Sequence, residues 1–398
     1  MKFGTRDKIL FPVFGILIII FWFTKTTLPT LYLIGFMIVG LVIAILASEK
    51  AVVGIEIFGK RMGLTPYVSG VLSSLASNSP ELVIGGFAIL SGKVEFAIAF
   101  IIIATGFNIL MLGILVMLGN FQRKEPITIP KEVIDIEVPI VRVAIVIVGS
   151  IFVYGIVLFC LEIFELAMSG EGTIPHLPYE ASVITVIVYL FYLFFIIRHN
   201  LKSRDLNALR ETSVEHKNGG RSIVVFTLLL AFGMIFFAGE MISSSVELFL
   251  EHSEEVVLNE FQLAFFIGAA ASIPEHAIAL LAVKHEGGIE LGLGNLIAGT
   301  MQNLLLMTGL VSLFSYIGAV IGIEGNSLQG IPLIHYVQGT GELPVPFLLV
   351  QFGFAWLLLF MIKSSMTDDQ KLDIYEGFTI TIAQLFVFVI FLKGILGF

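Results

Sequence analysis

Eleven stretches of this chain are apolar over a length that crosses the hydrocarbon of a bilayer, at about 9–24, 29–47, 66–91, 94–119, 138–161, 179–197, 222–250, 257–283, 289–317, 345–362 and 373–397. Hydrocarbon offers a backbone N–H or C=O no partner, so each run must close its hydrogen bonds within a helix. With 57% hydrophobic and only 13% charged residues, the chain reads as an all-α integral membrane protein and not as a soluble domain. Its one cysteine, Cys160, rules out an intrachain disulfide and a cysteine metal cluster. The run Ile9–Phe23 follows Lys2, Arg6 and Lys8 as a signal peptide does, but no small-residue cleavage site comes after it, so it reads as a retained helix.

Basic residues orient the bundle. With the N-terminus in the cytoplasm, the inner segments hold 18 of the 22 Lys and Arg residues, from Lys2, Arg6 and Lys8 through Lys60, Arg61, Arg123, Lys124, Arg198 and Arg204 to Lys363 and Lys371. Lys25, Lys93 and Lys393 fall outside, and Arg142 lies near a helix start. This predicts a multi-pass plasma (cytoplasmic) membrane protein with its N-terminus inside and its C-terminus outside. The outer loops are predicted to be acidic, with Glu162, Glu165 and Glu171 in one and Glu251, Glu254 and Glu255 in another.

Two glutamates stand at membrane depth, each behind a proline: Ser77-Asn78-Ser79-Pro80-Glu81 and Ala270-Ala271-Ser272-Ile273-Pro274-Glu275-His276. An ionisable side chain at that depth costs about 2.5 kcal/mol or more on insertion scales and usually marks an ion path. A proline inside a helix frees the carbonyl four residues earlier, that of Ala76 or Ala270 here. Freed carbonyls beside a carboxylate are the oxygen donors a hard cation needs. The Glu81 helix is predicted to run outward and the Glu275 helix inward, so the halves read as two inverted five-helix repeats preceded by an extra helix. The expected boundaries are 1–28 for the extra helix, 29–198 for the first repeat, 199–221 for a cytoplasmic linker and 222–398 for the second repeat.

In each half the next helix carries a polar cluster: Ala104-Thr105-Gly106-Phe107-Asn108, and Gly294-Asn295 through Gly299-Thr300-Met301-Gln302-Asn303. Its small residues suit close helix packing and its amides offer neutral oxygens. Asn108 and Asn303, at matching positions, read as ligands; Asn295 and Gln302 read equally as ligands or as helix-to-helix hydrogen bonds.

These residues resemble the calcium/cation antiporter superfamily, which comprises the sodium/calcium exchangers and the calcium/proton antiporters. Its two signature repeats read approximately Gly-Thr-Ser-Leu-Pro-Glu followed by Gly-Asn-x-x-Gly-Ser-Asn-x-x-Asn, and they are similar to residues 66–119 and 257–310. The resemblance implies that Glu81 and Glu275 coordinate Ca2+ and that Asn108 and Asn303 occupy the family's closing Asn/Asp positions. The family's hydroxyl position falls on Ser77 in the first repeat and on Ala271 in the second. Ala104, Ala271 and Gly299 stand where sodium-coupled members carry hydroxyls, and Phe100 replaces the Gly-Asn asparagine. Asn78-Ser79-Pro80-Glu81-Leu82 is similar to the proton-coupled branch, whereas Pro274 and Asn303 match the sodium branch, so the coupling ion stays open between H+ and Na+.

The reading that follows is a secondary antiporter exchanging Ca2+, or a similar divalent cation, against H+ or Na+ by alternating access at a two-glutamate site. The remaining oxygens come from Asn78, Asn108, Ser272, Asn303, Ser77, Gln302 and the carbonyls of Ala76 and Ala270. Partners are inorganic cations and lipid; no cofactor and no nucleic acid is expected, and a monomer suffices while the oligomeric state stays open. His276 points about 100° away from Glu275 around the helix and reads as a packing or hydrogen-bonded residue, with a proton relay as the functional alternative. Two other readings compete: a cation channel, since a two-glutamate constriction also suits permeation, and a divergent paralogue with another cation. An intramembrane zinc protease lacks its His-Glu-x-x-His, and no Asp lies inside a predicted span, Asp373 standing only at the start of one.

Overall fold

The computed structural model describes residues 29–62, 66–129, 131–169, 176–207, 221–251, 260–273, 276, 279, 288–333 and 347–396. The predicted first helix, Pro274, Glu275 and residues 208–220 of the predicted linker lie outside the described residues. The chain is built of helices: α1 (Pro29–Met62), α2 (Pro66–Ser77), α3 (Ser79–Leu90), α4 (Val94–Arg123), α5 (Lys131–Ser169), α6 (Tyr179–Asn207), α7 (Arg221–Glu251), α8 (Glu260–Ala271), α9 (Gly288–Met301), α10 (Thr308–Val320), α11 (Phe347–Asp368) and α12 (Ile374–Leu396). A π-helical segment, Gln302–Met307, joins α9 to α10. Eight helical stretches among the described residues are long and apolar enough to cross a membrane, and Glu260–Ala271 is a shorter apolar helix. The chain is therefore a multi-pass membrane protein.

Two predicted spans differ in form. The sequence reads 66–91 as one helix with Pro80 inside it; instead the run breaks at Asn78 into α2 and α3. Pro80 occupies the second position of α3, where its missing N–H has no intrahelical partner to lose, so the proline starts a helix and does not bend one. Glu162, expected in a loop, is a buried residue of α5, because that helix runs on to Ser169. Likewise α6 continues to Asn207, into the predicted linker.

Helix pairing crosses between the halves. α1 packs on α7, α5 on α11, α2 on α9, α8 on α4, α4 on α12 and α10 on α6. Each relation thus has its counterpart with the halves exchanged. Two glycines show it at atomic scale: a Cβ at Gly113 of α4 would lie 2.4 Å from Thr381 Oγ1 on α12, and one at Gly309 of α10 would lie 2.4 Å from Thr185 Oγ1 on α6. Only glycine permits so close an approach of helices.

Short antiparallel pairs close the bundle at both ends. β1 (Ile127–Thr128) pairs with β4 (Lys371–Leu372), and β2 (His176–Leu177) pairs with β3 (Ile331–Pro332). The first joins two segments assigned by charge to the inner side, the second two assigned to the outer side. Asn120 Nδ2 secures the former by donating to the carbonyls of Val116 (2.8 Å) and Leu372 (2.9 Å).

Candidate cation site

Glu81 is the first acidic residue of α3 and has no exposed surface. Neither carboxylate oxygen has a hydrogen-bond partner among the described residues. A buried carboxylate normally accepts several donors or faces a cation, because leaving it bare forfeits its hydration without return.

Its surroundings follow from register. Gly85 lies one turn beyond Glu81 on the same helix face, and a Cβ there would lie 3.4 Å from Ile101 of α4 and 3.4 Å from Val311 of α10. α3 and α4 form a hairpin and run antiparallel. α3 and α10 run parallel, their far ends meeting where Asn326 Nδ2 donates to the Ile89 carbonyl at 3.0 Å. One turn lower, Glu81 falls level with Thr105 on α4 and with the end of the π segment at Met307.

The other described residues of the predicted site are buried as well. Asn78, Asn108, Gln302 and Asn303 have no exposed surface, and Ser77 and Ser272 have almost none. Asn303 has both amide atoms without a hydrogen-bond partner among the described residues, as are Asn78 Oδ1 and Asn108 Nδ2. It sits in the π segment, whose extra residue per turn widens the backbone; its own carbonyl accepts the Thr308 hydroxyl at 2.8 Å. Such segments recur at functional sites because they re-aim side chains.

Two bonds cross between the halves. Asn78 Nδ2 donates to Gln302 Oε1 at 3.3 Å, and His276 Nε2 lies 3.1 Å from Asn108 Oδ1. An amide oxygen only accepts, so Nε2 carries the proton in that contact. Hydrogen bonding was one of the readings open to His276, and this contact is such a bond. Ser74, which the motif reading did not single out, reaches Gln302 Oε1 at 3.3 Å. Its place one turn before Asn78 was the available signal.

The carbonyl of Ala76 was expected to stand free because Pro80 cannot donate to it. The structure corrects this: Ser79 Oγ donates to it at 2.7 Å, a side-chain substitute for the missing N–H. One lone pair of that carbonyl remains. Ser77 Oγ donates to Ser74 O (3.2 Å) and Ser272 Oγ to Gly268 O (2.9 Å), which leaves both hydroxyl oxygens able to accept or to coordinate. Ala270 is half-buried on α8. Among the described residues no three His, Cys, Asp or Glu gather as a metal cluster. The donors present are one carboxylate, amides, hydroxyls and carbonyls, a hard-oxygen set suited to Ca2+ and poorly suited to thiophilic metals.

The sodium/calcium exchanger protein family matches residues 32–198 and 223–394. The chain belongs to that family. It is accordingly a cation exchanger, a secondary transporter and not an enzyme. The H+/Ca2+ exchanger CAX has a similar fold, with a TM-score of 0.65 at 15% identity over 99% of this chain and 94% of that one. The sodium-calcium exchanger NCX_Mj superposes with a TM-score of 0.57 at 16% identity over 90% of this chain and 99% of that one. The inner membrane protein YrbG of Escherichia coli (strain K12) is 23% identical over 281 residues, 70% of this chain and 79% of that protein.

The residue before Asn108 is Phe107, whereas the one before Asn303 is Gln302. Phe107 packs in an aromatic group with Phe265 (5.5 Å between ring centres) and Phe388 (4.6 Å). Gln302 instead enters a polar contact with α2. Glu240 is exposed on α7, and Glu49 is half-buried on α1.

Proposed function

We propose that this exchanger moves Ca2+, or a similar divalent cation, across the cytoplasmic membrane against H+ or Na+, by alternating access at a site shared by Glu81 and Glu275. The observation that carries the reading is Glu81: a fully buried carboxylate just beyond a helix break, with no hydrogen-bond partner among the described residues. Such a group is compensated by a cation or by a proton, and a site that takes either in turn exchanges them. Asn78, Asn108 and Asn303 supply neutral oxygens, Ser77 and Ser272 their hydroxyls, and Ala76 and Ala270 their carbonyls. Two carboxylates neutralise one divalent ion, while the neutral donors replace its water.

Two repeats, 29–198 and 222–398, preceded by an extra helix at 1–28, place Glu81 and Glu275 at matching positions. The reciprocal helix pairs and the family match in two stretches support this division. The strand pairs support the alternation of the spans, since each joins segments that the charge bias puts on one side; the N-inside, C-outside sense rests on that bias.

The test is calcium uptake into proteoliposomes under an imposed proton gradient, an imposed sodium gradient, or neither. Uptake driven by one gradient and lost in both Glu81→Gln and Glu275→Gln supports the reading and names the coupling ion. Saturable counterflow separates exchange from a channel, whose flux needs no ion on the other side. If neither gradient moves calcium, the assigned substrate is wrong.

A further inference from the structure

Asn78 occupies the N-cap position of α3, with φ −88° and ψ 1°, but its side chain makes no cap hydrogen bond. An asparagine there ordinarily satisfies an orphan N–H of the first turn. This one turns across to the other half, where its Nδ2 donates to Gln302 Oε1. The cap is forgone at a helix start where Pro80 has already removed one donor.

Resting on the reading above, we propose that Gln302 is a positioning residue that sets which end of the Asn78 amide faces the transported cation. Its Oε1 accepts and cannot donate, so the end of Asn78 that meets it must be the NH2 group. Asn78 Oδ1 is then the free end, buried and without a hydrogen-bond partner among the described residues. Turned by 180°, Asn78 would press oxygen against oxygen at Gln302 and present N–H groups, which repel a cation, at the break three residues before Glu81. Ser74 holds the acceptor in place: its hydroxyl lies 2.8 Å from the Val71 carbonyl and 3.3 Å from Gln302 Oε1, a donor shared between the two that a turned-over Gln302 would lose. Phe107 at the matching place in the first half cannot accept a hydrogen bond, so this control acts on one half alone. Asn78 and Ser74 together occupy both lone pairs of Gln302's oxygen, which leaves the cation to the other donors.

The test compares the calcium dependence of exchange in proteoliposomes for wild type, Gln302→Met, Asn78→Asp and the double variant. Gln302→Met keeps the volume and removes the acceptor. It is expected to raise the apparent KM for Ca2+ about three- to tenfold, the loss of one oriented neutral ligand, with the maximal rate within about twofold. A carboxylate offers oxygen at both ends, so orientation ceases to matter. In the Asn78→Asp background, Gln302→Met should therefore leave KM unchanged. An equal KM increase in both backgrounds would make Gln302 a ligand in its own right and overturn the inference. A Gln302→Met exchanger with unaltered KM in the wild-type background would overturn it too. Glu81→Gln runs alongside: if it exchanges calcium as wild type does, the two-glutamate reading fails and this inference with it. Thermal unfolding of each detergent-purified variant identifies any that merely misfold, and for these Gln302→Leu replaces Gln302→Met in the same comparison.

Discussion

His276 and Asn108 come from opposite halves of the chain and meet at 3.1 Å between Nε2 and Oδ1. The contact joins a residue next to one glutamate of the proposed site with an amide of the helix that follows the other. Because Nε2–H occupies one lone pair of Oδ1, the second is left for a cation and the amide cannot turn over. His276→Leu is expected to raise the apparent KM for Ca2+ about three- to tenfold, whereas His276→Gln, which keeps a donor, should recover most of the affinity. Concentration-dependent uptake checks both; equal losses in the two variants would show that packing and not the hydrogen bond matters.

Glu81→Gln should separate stability from binding. Removing a buried charge that no described residue compensates is expected to raise the melting temperature in calcium-free buffer. The same substitution should abolish the calcium-induced shift, which for wild type at about a hundredfold excess over Kd corresponds to about 2.7 kcal/mol. Thermal unfolding with and without calcium reads both. A variant that still shifts would place the cation elsewhere.

Proton linkage has a definite sign. Carboxylate ligands must shed their protons to hold a metal, so binding releases protons and affinity falls as pH falls. Calcium titrations at pH 6 and pH 8 should show a higher apparent Kd at pH 6. The dependence should weaken in Glu81→Gln. Equal Kd values at both pH values in wild type would mean that protons do not share this site.

The close approaches of Gly113 to Thr381 and of Gly309 to Thr185 predict paired mutational effects. Gly113→Val and Gly309→Val each force a side chain into a threonine that is itself bonded to its own helix, at 2.8 Å to Gly377 O and 2.7 Å to Ser182 O. Each should cost about 1–3 kcal/mol of stability. Denaturation of both variants checks this, and a large effect at one glycine with none at the other would contradict the reciprocal packing.

Sidedness can be read from Lys93 and Lys371, assigned to the outer and inner surfaces. In a Cys160→Ser background, Lys93→Cys should react with an impermeant thiol reagent applied to intact cells, and Lys371→Cys only after lysis. The reverse pattern would invert the topology.

Much of the fold was legible because a bilayer leaves few choices. Hydrocarbon forbids unsatisfied backbone, so long apolar runs such as 94–119 had to become helices, and α4 and α12 appear within a few residues of their expected ends. The polar residues of the site were legible for the same reason: an ionisable or amide side chain in an apolar run is costly and stands out, as Glu81, Asn108 and Asn303 did. Local chemistry was less so. Pro80 signals a disturbed helix, but whether it bends one or starts another depends on Asn78 and Ser79, whose side chains had two sets of partners to choose from.

What the sequence by itself determined is which segments are long and apolar enough to cross a membrane and which polar groups they carry, since solvation sets both one segment at a time. What only the tertiary structure decided is who meets whom: Asn78 with Gln302, His276 with Asn108, Thr381 against Gly113, and Ser79 in place of the donor that Pro80 lacks. Such pairings depend on the relative shift and rotation of helices far apart in the chain. That is a property of packing which no single stretch of residues encodes.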